Sequence, residues 1–390
     1  MATFKDATVE GFNTLIGLWN HGDAFRNCGD HGGCFWMAGN LFHTAVESMR
    51  RAELQKDTYG IGNEALAYFH ECVPDTTDPR HWREKYGFWV DDYAWWGIAF
   101  FRAYFASDQL HYDPSMKAKF ALNAKNCWEA LNACWNDTSI KWKKGRKSYT
   151  ITGGIPNTLD NVTLAGRNCV TNECYWYLSA LLGTEFGSHY LDPKANVNDF
   201  FLEAKTQSIL FDGLGLVYER FLGLRNTDHS DWTWVGDQGL FAISCYSNRQ
   251  GSPGVFDRNQ AIASIKAVQT NRKTASGVLH EDLAPYSDYR LDYACGKGTL
   301  MRYLAYINDS YHHLDPRGKY YDVYISLNAK ALWKNRHGGI FPYYWDAELP
   351  EPALECWGGY RQDTTSAVLH AAGLSALNAA LPWFNDQPID

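Results

Sequence analysis

What most constrains this chain is a recurrence. Gly- or aromatic-rich loops lead into apolar helices near Trp36, Asp91, Thr171, Asp237, Lys297 and Asp363. The mean step is roughly 65 residues, enough for one helical hairpin with its loops. Six such steps fill the 390 residues. Apolar spacing of about 3.6 predicts helices over 36–53, 58–72, 91–107, 114–134, 171–186, 195–210, 256–270, 297–309, 319–334 and 363–381. Few segments alternate as strands do, and no Ser-rich, Pro-rich or charged linker divides the chain. Helices at the six steps are the more apolar; those between them, such as 114–134 and 195–210, are amphipathic. The first set suits an inner ring and the second an outer ring. The expected fold is all-α, an (α/α)6 barrel of six helical hairpins forming one domain over 1–390. Loops ahead of the inner helices would converge on one mouth.

Composition narrows the function. Hydrophobic residues make up 45% and aromatic residues 15% of the chain, with 16 Trp and 24 Tyr. Such rings offer a flat apolar face with a polar edge, the surface that carbohydrate sites use. A net charge of -8 argues against nucleic acid as a partner. No uninterrupted apolar run approaches the roughly 20 residues of a membrane span. The start, MATFKDATVEGF, lacks a basic stretch followed by an apolar one, so the chain reads as cytoplasmic as written, or as secreted if Met1 replaces a removed leader. Sequons at Asn136, Asn161 and Asn308 fit the second location. Of the ten cysteines, Cys28 and Cys34 lie near His21 and His31, but without a Cys-x-x-Cys pair; a Cys28–Cys34 disulfide or free thiols are expected there rather than a metal. Nothing in the sequence calls for a cofactor, and it does not reveal the oligomeric state.

Chemistry concentrates in WVDDYAWW, residues 89–96. Side-by-side carboxylates repel, so one of Asp91 and Asp92 should bind a proton more tightly, setting an acid beside a nucleophile or base. The plainer reading is a capping residue followed by a carboxylate favoured at the first turn. At an inner-helix start the two readings coexist, because both side chains can then face the mouth. A carboxyl separation of about 5–5.5 Å would suit a retaining glycosidase.

The pattern resembles glycoside hydrolase family 76, the endo-α-1,6-mannanases and related fungal cell-wall transglycosylases, over nearly the whole chain. The central match is WVDDYAWWGIAFFRAY from Trp89. The resemblance makes Asp91 the nucleophile and Asp92 the general acid/base, with Tyr93, Trp95 and Trp96 beside them toward substrate. FWMAGNLFHTAVE from Phe35 is similar to the family's early Trp-x-x-Asn helix and places Trp36 and Asn40 near the cleft. GGIPNTLDN from Gly153 and RNCVTNECYWYLSALL from Arg167 resemble its Gly-Gly loop and Lys-Asn-x-x-x-Asn-Glu segment, bringing in Asn172. WTWVGDQGLFAIS from Trp232 resembles its Tyr-Asn-Gln-Gly turn and implicates Asp237 and Gln238. GKGTLMRYLAYI from Gly296 is similar to its Lys-Gly-x-x-x-Arg helix, with Lys297 and Arg302, and RQDTTSAVLHAAGLSAL from Arg361 to its last inner helix. Three departures stand out: Ile155, Pro156 and Asn157 follow the glycines where tryptophan is usual, Asp237 replaces Asn, and Arg167 replaces Lys.

Each secondary residue also has a structural reading. Gln238 can satisfy a helix end, Asn172 and Glu173 can cap one, and Lys297 and Arg302 can pair internally. His312 and His313 precede a polar loop and should titrate in solvent. The expected activity is a retaining hydrolase of α-linked mannan or related α-glycans, with an oligosaccharide or polysaccharide as partner. The alternatives are a transglycosylase, a sugar epimerase of the N-acylglucosamine 2-epimerase type using His280 and His370, and a noncatalytic glycan-binding protein.

Overall fold

The computed structural model describes residues 1–26, 34–54, 60–73, 89–144, 147–157, 166–191, 197–219, 232–247, 258–283, 290–311, 319–347, 349–357 and 360–389. Among the described residues the chain is all-α apart from one hairpin. Its long elements are α1 (Phe4–Trp19), α2 (Cys34–Arg51), α3 (Ile61–Cys72), α4 (Val90–Ala106), α5 (Pro114–Ala133), β1 (Ile140–Lys144), β2 (Lys147–Ile151), α6 (Cys169–Phe186), α7 (Val197–Thr206), α8 (Val235–Ser247), α9 (Arg258–Asn271), α10 (Gly296–Tyr311), α11 (Lys319–Lys334) and α12 (Gln362–Phe384). The even-numbered helices α2, α4, α6, α8, α10 and α12 begin at or beside the six positions marked by the sequence recurrence.

Two elements escape the periodicity. In α1, Gly11 and Gly17 dilute the apolar stripe, yet Phe4, Phe12, Leu15 and Trp19 are buried and a Thr3–Asp6 capping box starts the helix. The hairpin escapes because lysines occupy most of β1, and lysine is a poor strand former.

The chain forms two compact units, the first from residues 1–74, 102–121 and 272–390, the second from 75–101 and 122–271. In the first, α12 packs against α1, α2, α10 and α11. By length and composition α12 could cross a membrane, but 78% of its most apolar window is buried within the protein. The chain ends meet in this unit: Phe4 N donates to Gln387 O, Lys5 N to Asn385 O and Ile389 N to Ala2 O. Asn308, in one of the three sequons, is 1% exposed and donates to Asp322, so its amide is closed to glycosylation.

A close helix approach explains a small residue. A Cβ on Gly298 of α10 would lie 2.5 Å from the Ala372 Cα and 2.6 Å from its carbonyl oxygen in α12. The obstacle is backbone, so relief requires the helices to separate. Gly298→Ala is expected to destabilise the protein by about 3 kcal/mol, read as a lower midpoint in a calorimetric melt.

The second unit packs α6 against α8, and α8 against α9. Trp128 stacks on Tyr175 at 6.0 Å, Phe201 meets Trp176 at 5.6 Å and Phe241 at 6.0 Å, and Gly97 of α4 nests on Leu178 and Cys127. Cys34 is disulfide-bonded. Its expected partner Cys28, together with His31, Asn161, His312 and His313, lies outside the described residues.

Candidate active site

In the second unit, α4 opens with Asp91 and Asp92 in its first turn, where backbone N–H groups favour negative charge. Its entry is fixed from both sides: Val90 N donates to Asn157 O at 2.9 Å and Asp92 N to Trp89 O at 3.2 Å. The two carboxylates differ in environment. Asp91 is partly exposed and Asp92 only 1% exposed. Asn157 Nδ2 donates to Asp91 Oδ1 at 2.7 Å and to Thr171 Oγ1 at 3.3 Å.

Asn157 is one of the residues that depart from the family pattern, and the loop beneath it is rigid. Gly153 and Gly154 adopt φ of +74° and +97°, conformations that L side chains rarely take. Asn172 clamps Ile155: its Oδ1 accepts from Ile155 N at 2.8 Å, while its Nδ2 donates to Ile155 O at 3.1 Å and Asn168 O at 2.9 Å. Arg167, fully buried, donates to the carbonyls of Thr138 at 3.0 Å and Asn136 at 3.2 Å. Asn172 thus acts on the aspartates through the loop. Asn157→Ala is expected to lower kcat by about 10²-fold, since small misplacements of a reacting group cost that much. KM and the unfolding midpoint should move little; steady-state kinetics and a thermal melt check this.

Gln238 is likewise fully engaged. Its Oε1 accepts from Val217 N at 2.8 Å and Ser264 Oγ at 3.0 Å, and its Nε2 donates to the carbonyls of Val217 at 2.9 Å and Trp234 at 3.1 Å. It fastens the start of α8. Glu173 and Asp237 have no exposed surface. Burial pushes the Glu173 carboxyl well above the usual carboxylate range, and neither of its oxygens has a hydrogen-bond partner among the described residues. The thiol of Cys174 is raised first by burial and then by the negative charges of Asp91, Glu173 and Asp237. Among the described residues no group of His, Cys, Asp and Glu is arranged to hold a metal.

The tryptophans of the motif face inward. Trp96 has no exposed surface and packs on Phe100 at 5.3 Å; Trp95, 2% exposed, meets Trp234 edge-on at 6.3 Å. Tyr93 is 6% exposed. The open ring beside the aspartates is instead Trp89, 42% exposed. Sequence reasoning named Trp89 as the start of the motif and Asn157 as a departure but gave neither a site role, because both flank the helical pattern rather than belong to it.

The other expected residues lie in the first unit. Trp36 is 8% and Asn40 5% exposed. Arg302 Nη1 donates to Asn40 Oδ1 at 2.8 Å and to His43 Nδ1 at 3.0 Å, and its Nη2 to Thr44 Oγ1 at 2.9 Å. Arginine only donates, so His43 Nδ1 is an acceptor and its Nε2–H donates to Tyr306 Oη at 2.6 Å. Burial, then the Arg302 charge, hold His43 well below its ordinary value, in keeping with that neutral form. Glu47 accepts from Arg50 at 2.8 Å, Arg51 at 3.1 Å and Arg102 at 3.0 Å, and Arg102 stacks on Tyr306 at 4.0 Å. Lys297, 1% exposed, donates to Tyr343 O beneath the rings of Tyr343 at 4.2 Å and Trp345 at 5.2 Å. Burial pulls its ammonium down to about 8 against the attraction of Glu281 and Glu351.

No protein-family model and no curated protein matches the chain. Solved structures do. A GH76A α-1,6-mannanase from Salegentibacter sp. is similar at 15% identity, with 97% of this chain and 99% of that one covered and a TM-score of 0.69. An inactive variant of that enzyme, substituted at two aspartates, is in complex with α-1,6-mannotriose; it covers 97% of this chain and 98% of that one at 15% identity and a TM-score of 0.69. Dfg5 from Chaetomium thermophilum, in complex with glucosamine, is similar at 13% identity over 95% of this chain and 90% of that one, with a TM-score of 0.68. This chain has the fold of the GH76 α-1,6-mannanases, of which it is a distant structural relative, and the expected helical-barrel class holds.

Proposed function

We propose that the protein is a retaining glycoside hydrolase of α-linked mannan or related α-glycans. One observation carries the reading: in a chain with this fold, two adjacent carboxylates open a buried helix, one partly exposed and held by Asn157, the other sealed. Asp91, the open carboxylate, attacks the anomeric carbon. Asp92, whose ionised form is costly to bury, protonates the leaving oxygen. It then takes a proton from water, or from an acceptor hydroxyl, to release the sugar with retained configuration. The disulfide at Cys34 supports the secreted location.

The epimerase alternative fares worse. His370 has no exposed surface, its Nε2 donates to Gly11 O at 2.8 Å, its Nδ1 accepts from Phe341 N, and burial pulls it down to about 4. Both nitrogens are spent inside the core.

The test is a product screen on α-mannans and other α-linked glycans, with NMR of the first anomer released. An initial α product supports the scheme. An initial β product, or a product of unchanged mass, would sink it.

A further inference from the structure

Trp89 stands apart from the other tryptophans. Its side chain is 42% exposed, whereas every other tryptophan side chain among the described residues is buried or half-buried. Phe105, an exposed ring of the first unit, carries the Arg102 guanidinium over its face at 5.3 Å. The Trp89 ring has no such cover: among the described residues it meets no aromatic ring and no cation, and its indole N–H meets no acceptor. An apolar ring stabilises a fold by leaving water, so an indole left in water contributes little to folding.

The backbone that carries this ring is nevertheless fixed. Trp89 O accepts from Asp92 N at 3.2 Å, closing the first turn of α4, and the next residue, Val90, donates from its N to Asn157 O at 2.9 Å. Positions three apart on a helical turn lie on one face, and positions two apart do not. Trp89 therefore starts on the side of Asp92, the carboxyl assigned to the leaving oxygen, and not on that of Asp91.

We propose that Trp89 is the platform on which the leaving-group sugar stacks: a neutral pyranose lays a C–H face on the indole, and the indole N–H donates to one of its hydroxyls. The inference rests on the hydrolase reading above, which makes Asp92 the acid. A flat apolar face with a polar edge matches a sugar ring in both respects. An uncharged sugar is favoured because the adjacent carboxylates, in a chain of net charge -8, repel an anionic one.

Two substrates separate this role from a structural one. α-Mannosyl fluoride puts no sugar in the leaving-group position, whereas α-1,6-mannotriose does. Covering about 60 Å² of ring is worth about 10-fold in affinity, so Trp89→Ala should lower kcat/KM on mannotriose by about 10-fold and leave kcat/KM on the fluoride within about 2-fold. Trp89→Phe should recover most of the loss. The Trp89→Ala variant should melt as the wild type does, because the ring is exposed. Equal losses on the two substrates, or none on mannotriose, overturn the proposal. Binding decides the matter if neither substrate turns over. In isothermal titrations with mannotriose, adding Trp89→Ala to Asp91→Asn should weaken Kd by about 10-fold. An unchanged Kd, or no binding to the Asp91→Asn variant at all, overturns the platform. A binding difference without turnover of either substrate overturns the hydrolase reading and leaves Trp89 as a sugar platform.

Discussion

Asp91→Asn and Asp92→Asn are each expected to lower turnover of the natural glycan by about 10³-fold or more while leaving the fold intact. Asp92, 1% exposed, exchanges one neutral group for another of the same shape if it rests as the acid. Asp91 keeps its Asn157 neighbour after substitution, although the amide no longer accepts as a carboxylate does. Leaving-group dependence separates the roles. An aryl glycoside with a good leaving group needs no proton to depart, so Asp92→Asn should release a burst of one equivalent of phenol and then stall for want of a base. Asp91→Asn should show no burst with any leaving group. Equal behaviour of the two variants in a stopped-flow burst assay would contradict the assignment.

The second large effect is on stability. Glu47→Ala should cost about 3 kcal/mol, because it removes the buried carboxylate shared by Arg50, Arg51 and Arg102, whose side chains are 19%, 3% and 11% exposed, and leaves Asp309 alone to pair with Arg50 and Arg51. Burial opposes ionisation of Glu47, but the three arginines prevail and hold it well below its ordinary value of 4.5. The sign follows: between the folded and unfolded values the unfolded chain binds more protons. The contribution of Glu47 is therefore complete above about pH 4.5 and fades as pH falls through the lower, folded value. Denaturant titrations at pH 7 and near pH 3.5 should show wild type losing more stability on acidification than Glu47→Gln, which has no proton to take up.

The inner helices were legible because their signal is redundant: α12 is apolar on every face, so no error of phase could hide it. The first helix was not, since its glycines interrupt the stripe and the reason for Gly11 is distant. A Cβ there would meet Leu374 at 3.0 Å and Phe341 at 3.3 Å. The aspartates were legible from their own improbability, but their setting was not. Trp95 and Trp96 looked like sugar platforms because composition reports ring type and not direction; only helical phase together with neighbouring helices turns them into the core. Asn157 was marked as a departure from pattern. Its bond to Asp91 joins residues 66 positions apart, a relation that local periodicity does not encode.

The meeting of the chain ends bears on synthesis. The apolar face of Phe4–Trp19 leaves the ribosome long before its cover, α12 and the turn that follows. At about 5–20 residues per second, that face waits some tens of seconds for its partner. Throughout that interval the face of α1 around Gly11, which packs on Leu374, is without α12. Nascent chains of this protein should therefore depend on holding factors for α1 more than for the helices that follow it.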